Sequence, residues 1–120
     1  YLSVSSKVIL IGDTGVGKTS ILQRFLLGRF EPFPPISQGV TFRTRSVPLP
    51  DRSTTVKLML WDTAGQERYN ALTQSYFTNC AAALVVYDIS DQLSFERAGD
   101  WVKQLLRFSR EPSDAALSSQ

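Results

Sequence analysis

The chain has 120 residues, 42% of them apolar and 20% charged, which suits one globular domain able to fold without disulfides or a structural metal. Thirteen Lys and Arg against eleven Asp and Glu leave a net charge of +2 with no block of like charge, so a sequence-independent grip on nucleic acid is not expected. A single cysteine, Cys80, and no histidine exclude an internal disulfide, a histidine-ligated zinc site and Ser-His-Asp chemistry.

Lys7 to Ile11 is a short apolar run ending at Gly12 and reads as a buried strand. A glycine-punctuated loop follows to Gly17. From Lys18, the residues Ile21, Leu22, Phe25 and Leu26 share one helical face, with Gly28 as a left-handed C-cap. Arg29 to Gly39 contains Pro32, Pro34 and Pro35, which remove backbone donors and disfavour helix, so this stretch is expected to be an extended loop. Phe42 to Leu49 and Thr54 to Leu60 alternate as strands around the turn Pro50 to Ser53. Asp62 to Tyr69 has no apolar periodicity and reads as a loop, entering a short helix through Tyr76. Ala81 to Tyr87 reads as another buried strand and is far shorter than the roughly 20 residues of a membrane helix. Without a signal-peptide layout at its start, the chain is expected to be cytoplasmic. Phe95, Ala98, Trp101, Val102 and Leu105 recur at helical spacing, with Ser90 or Asp91 as N-cap. Residues 111–120 form a polar tail, expected to be disordered. Strands alternating with helices, plus one hairpin, predict an α/β fold with a mostly parallel sheet.

Two segments carry chemistry. Gly12-Asp13-Thr14-Gly15-Val16-Gly17-Lys18-Thr19 fits the phosphate-loop pattern of two glycines separated by four residues and followed by Lys and Ser or Thr. Glycines let consecutive amides turn inward around phosphates, and the following helix aims its positive end at them. Lys18 adds a point charge at the β- and γ-phosphates, and the Thr19 hydroxyl suits magnesium. The motif alone does not separate a GTPase from an ATPase or a small-molecule kinase. Trp61-Asp62-Thr63-Ala64-Gly65-Gln66-Glu67 follows the strand KLMLW, where an aspartate beside a phosphate loop can hold a magnesium-bound water and Gln66 can orient an attacking one.

GDTGVGKTS at 12–20, WDTAGQERY at 61–69 and VVYDISDQLSFERAGDWV at 85–102 stand in the order and spacing of the Rab branch of Ras-like small GTPases, and the chain resembles that branch over about residues 5–110. The segments VKLMLWDTAG and ERAGDWVKQL are similar to those of its early-endosomal group. The resemblance implies a P-loop NTPase fold, Ras-like, with helices on both faces of the sheet. It implies a magnesium-dependent GTP/GDP switch that meets an exchange factor, a GTPase-activating protein and effectors at endosomal membranes. Carried over by position, it implies that Gly12 to Thr19 wrap the phosphates, that Ser20 meets the α-phosphate and that Phe30 lies against the guanine face. Thr19, Ser37 and Asp62 would serve magnesium, Gly65 the γ-phosphate and Gln66 the hydrolytic water. Phe42, Trp61 and Tyr76 match the aromatic triad that Rab effectors read. The plainer alternatives are that Phe30 caps the first helix and that the three aromatics simply pack in the core.

The first switch reads Ser37-Gln38-Gly39 where the family has Thr-Ile-Gly, which keeps a hydroxyl but replaces an apolar effector contact. The 120 residues hold no Asn-Lys-x-Asp motif and no terminal prenylation cysteine. Residues 1–110 therefore match the first two-thirds of such a domain, with weakened guanine binding expected. The strand Ala82 to Tyr87, interior in the family, is then expected to be an exposed edge prone to self-association or strand exchange. The competing reading is a nucleotide-free fragment that presents only the switch surface.

Overall fold

In the computed structural model, residues 2–29, 39–51, 53–64 and 74–109 are described. They form, in chain order, β1 (Leu2–Ile11), α1 (Lys18–Leu27), β2 (Gly39–Pro48), β3 (Thr54–Ala64), α2 (Gln74–Phe77), β4 (Ala82–Val85) and α3 (Gln92–Ser109). The four strands make one sheet in the order β2-β3-β1-β4. β1 runs parallel to both β3 and β4, and β2 pairs antiparallel with β3.

The alternation of side chains along β1 distributes the core between two layers. Ile9 and Ile11 point to one face, where they pack with Tyr76, Phe77 and Trp101 from α2 and α3. Leu10 points to the other face and packs with Leu22 of α1 and Leu60 of β3. Helices therefore cover both faces, as the resemblance implies, and β1 is the shared wall between two small cores.

Backbone pairing, rather than apolar content, sets the strand lengths. β1 starts at Leu2, well before the apolar run at Lys7, because Leu2 through Ile9 pair in register with Thr54 through Trp61. Asp62, Thr63 and Ala64 belong to β3 and not to a loop: past the last β1 partner, Trp61, their backbones still pair with Thr41, Val40 and Gly39 of β2. β4 is shorter than its apolar run and pairs only with Val8 to Ile11.

Burial also departs from the apolar pattern. β4 is an exposed edge, not a buried strand, with Leu84 48% and Val85 36% accessible. On α1, Leu22 is buried but Ile21 and Phe25 are exposed. The covered stripe of α3 is Ser94, Ala98 and Trp101, continued by Leu105 and Phe108, whereas Phe95, Val102 and Leu106 face away from the core. A helix of this composition carries two apolar stripes, and the packing of Ile9, Ile11 and Phe77 selects one of them.

Three carboxylates organise the turns. Asp91 is the N-cap of α3, accepting from the Leu93 amide at 3.1 Å and the Ser94 amide at 3.4 Å. In the β2–β3 turn, Asp51 accepts from the amides of Ser53 and Thr54, each at 3.0 Å, and from the Thr54 hydroxyl at 3.0 Å. The Thr54 amide bond, foremost among these, pulls the Asp51 carboxyl below its ordinary value. The Ser90 hydroxyl and amide do the same to Asp88. A depressed folded value means that these bonds stabilise the fold above the unfolded aspartate pKa, about 3.9, and are lost as pH falls through the lower folded value. NMR titration is expected to place the Asp51 and Asp88 midpoints below that of an unstructured aspartate. An ordinary midpoint for Asp51 would remove its role as the turn's anchor.

Candidate functional site

The loop after β1 is shaped by its neighbours. The Val86 amide donates to Ile11 O at 2.8 Å, drawing the end of β4 against the start of the loop. At Gly12 the backbone takes φ 147, and a Cβ there would overlap the Val86 carbonyl oxygen. Gly12→Ala therefore combines left-side backbone strain with a backbone clash and is expected to destabilise by about 2–4 kcal/mol. Urea denaturation would read this as a lowered midpoint at unchanged slope.

α1 starts at Lys18, after Gly17 with φ 108, and has no side-chain cap. Its first-turn amides thus point into the loop as donors, with the positive end of the helix behind them. The buried Lys18 ammonium folds back to donate to Gly12 O and Asp13 O, both at 2.8 Å, closing the loop around its charge. Thr14 and Gly15 lie exposed at the loop's mouth, and Val16 and Ser20 are half-buried on either side of the helix start.

The second segment meets the first directly. The Thr19 hydroxyl donates to Asp62 Oδ2 at 2.7 Å, joining the first turn of α1 to the end of β3. Asp62 and Thr63 are both buried. A hydroxyl and a carboxylate in contact are hard oxygen donors of the kind magnesium takes. That ion commonly binds through one or two protein ligands, completing its shell with water and phosphate oxygens. One hydroxyl and one carboxylate make a donor pair of that sparse kind. The residues fit both a phosphate chain and magnesium.

Phe30, Ser37, Gly65 and Gln66 lie outside the described residues. The three aromatics do come together: Phe42 meets Trp61 edge-on at 5.2 Å between ring centroids, and Trp61 meets Tyr76 at 6.3 Å. They differ in access. Phe42 is exposed and Trp61 half-buried, but Tyr76 is buried. Its single hydroxyl hydrogen is shared between Leu10 O at 2.7 Å and Trp61 O at 3.0 Å, across the β1–β3 boundary. Tyr76 thus supports the other two rings from beneath. Lys7 braces the same group, its ammonium 4.5 Å from the centre of the Trp61 ring and donating to Ser75 O and Thr78 O. Burial pulls the Lys7 pKa below the ordinary lysine value. Cys80 is half-buried against the Ile9–Phe77 cluster.

Sequence reasoning took Trp101 as helix packing and missed its polar end. The indole Nε1 donates to Asp13 Oδ1 at 3.0 Å, and Arg97 pairs with Asp13 Oδ2 at 3.1 Å. Two signals pointed that way: a buried indole N–H needs an acceptor, and a carboxylate inside an anion-binding loop needs a counter-charge.

Comparison with known proteins agrees with this geometry. The sequence profile of the Ras family matches residues 7–118. The GTP-binding protein ypt5 of Schizosaccharomyces pombe is 41% identical over 117 residues, 98% of this chain and 55% of its own. The GTP-binding protein ypt3 of the same organism is 44% identical over 111 residues, covering 92% and 49% respectively. The Ras-related protein RABF2b of Arabidopsis thaliana is 43% identical over 103 residues, covering 86% and 50%. The chain spans about half the length of these relatives. With a phosphate loop, a hydroxyl–carboxylate pair at its edge and a profile match over nearly every residue, the chain belongs to the Ras family, on the branch of its Ypt and Rab relatives.

Proposed function

We propose that this chain is the phosphate-binding and magnesium-binding part of a Rab-type GTPase, a protein that binds GTP and GDP and hydrolyses GTP as a switch. The observation that supports the reading is the 2.7 Å contact of Thr19 with Asp62, which brings together, next to Lys18, the two described residues proposed to serve magnesium. In GTP hydrolysis a water oxygen attacks the γ-phosphorus while the bond to the β-phosphate oxygen breaks, giving GDP and phosphate. The loop amides, the helix end and Lys18 hold the phosphate chain and offset its charge. Thr19 and Asp62, with Ser37, are the residues proposed to serve magnesium, which when bound neutralises charge on the phosphate oxygens. Gly65 is assigned to the γ-phosphate, Gln66 to orienting the attacking water and Phe30 to the guanine face.

Since the 120 residues hold no Asn-Lys-x-Asp sequence, phosphates rather than the base should dominate binding by this chain. Calorimetry with GDP and magnesium tests the reading. Saturable, magnesium-dependent binding with weak preference over ADP is expected, and no heat at millimolar nucleotide would overturn it. The Gln66 assignment is tested in a longer version of the protein by Gln66→Leu, which should slow hydrolysis and spare binding.

Partner readings follow the same resemblance. Effectors are proposed to read Phe42 and Trp61 with Tyr76 beneath them, an exchange factor and a GTPase-activating protein to act on the switch segments, and the endosomal membrane to be the place of action. Among the described residues no helix is long and apolar enough to cross a membrane. A second reading, self-association of this chain, is favoured by the accessible apolar edge at β4 beside exposed Ile89 and Phe95. Light scattering should then show mass rising with concentration, and a constant monomer mass would dismiss it.

A further inference from the structure

Asp13 is a negative charge inside a loop built to receive anions. Left free, its carboxylate would repel a phosphate chain through a poorly screened, partly buried environment. Asp13 is held from two sides, its backbone by Lys18 and its carboxylate by α3. Inside the loop, Lys18 bonds the Asp13 backbone carbonyl at 2.8 Å. Outside it, α3 takes both carboxylate oxygens, one by the Trp101 indole at 3.0 Å and one by Arg97 at 3.1 Å. The two α3 donors sit four residues apart, one helical turn, so one face of the helix presents both together. They are unequal. Trp101 is buried, whereas the Arg97 side chain is 55% accessible and its ion pair is correspondingly screened.

We propose that Trp101 and Arg97 are positioning residues for the phosphate loop. By seizing the Asp13 carboxylate they hold the loop's first turn in the form that Lys18 closes, and they keep that charge from opposing the phosphates. Both act through Asp13 from outside the loop, being residues of α3. The accessible end of the latch, Arg97, gives α3 a handle on the loop: an acidic group that drew Arg97 away would leave Asp13 held by the indole alone.

The effect on nucleotide rests on the function proposed above, but the effect on the loop does not, so the test has two arms. In the first, amide hydrogen exchange is followed in the nucleotide-free 120-residue chain. Trp101→Phe, which keeps an aromatic ring and loses the N–H, should raise exchange at 13–17 about tenfold, as loss of one bond to a charged group implies, with residues 8–11 of β1 unchanged. Arg97→Gln, on an exposed side chain that does not threaten folding, should raise it about twofold. In an Asp13→Ala background both substitutions should lose their effect, because the path runs through that carboxylate. Persistence of the Trp101→Phe effect in Asp13→Ala, or an equal rise along β1, would show plain packing and overturn the proposal. So would unchanged exchange in Arg97→Gln. In the second arm, GDP release is timed: Trp101→Phe should accelerate it about tenfold. Absence of GDP binding by the unsubstituted chain would count against the nucleotide reading and leave the first arm to decide the latch.

Discussion

Replacing Phe77 with alanine is expected to remove most of the chain's stability. Its ring is fully buried, stacks on Phe108 at 5.7 Å and meets Tyr76 edge-on at 5.4 Å, in the core that joins β1 to α2 and α3. Truncation of a buried Phe typically destabilises by about 3–5 kcal/mol, against a total of about 5–15 kcal/mol for a domain. The four described residues of α2 are too few to hold helical structure by themselves and depend on this anchor. Urea denaturation should show a strongly lowered midpoint, with Phe77→Leu recovering much of the loss. A shift equal to that of an exposed residue such as Leu106 would mean the core is assigned to the wrong face.

Lys18→Ala is expected to abolish useful nucleotide binding while leaving the sheet folded. The ammonium is the charge at the centre of the loop, and each hydrogen bond to a charged partner contributes about 1.5–3 kcal/mol. Losing contacts to two phosphates therefore lowers GDP affinity by roughly two to four powers of ten. The same change strands the carbonyls of Gly12 and Asp13, which now share the Lys18 Nζ. Calorimetry with GDP and magnesium reads the affinity, and far-UV circular dichroism checks the fold. Affinity within threefold of the unsubstituted chain would reject the loop as the phosphate site.

The strand–loop–helix unit at the start of the chain was legible because its signals are local. An apolar run, a glycine loop and a periodic helix closed by Gly28 all lie within neighbouring residues, and Gly28 takes φ 71 with its amide on Arg24 O as a C-cap does. The β2–β3 hairpin was legible for the same reason. Strand ends were not, since Leu2 to Ser6 are strand only because Thr54 to Leu58 lie beside them. Which apolar face is covered was equally hidden. Nothing local distinguishes Phe95 and Val102 from Trp101 and Leu105; the difference arises from what packs against α3. In the site, Thr19 lies on Asp62 and Lys18 closes on the carbonyls of Gly12 and Asp13, within or beside the two motifs, but the Asp13 partnership with α3 joins residues far apart in the chain and carries no local mark.

The sheet order also dictates when each piece can form. β2 and β3 are joined by a short turn, so their antiparallel ladder closes a small loop and needs little loop-closure entropy. β1 meets β3 only by bringing Leu2 to Thr54, across α1, β2 and the turn that follows it. On loop-closure entropy alone, β1 is expected to insert between the hairpin and β4 after the hairpin has closed, and the phosphate loop, hung from the end of β1, to take its shape last; pulse-labelled amide exchange protecting residues 8–11 before 41–47 would reverse that order.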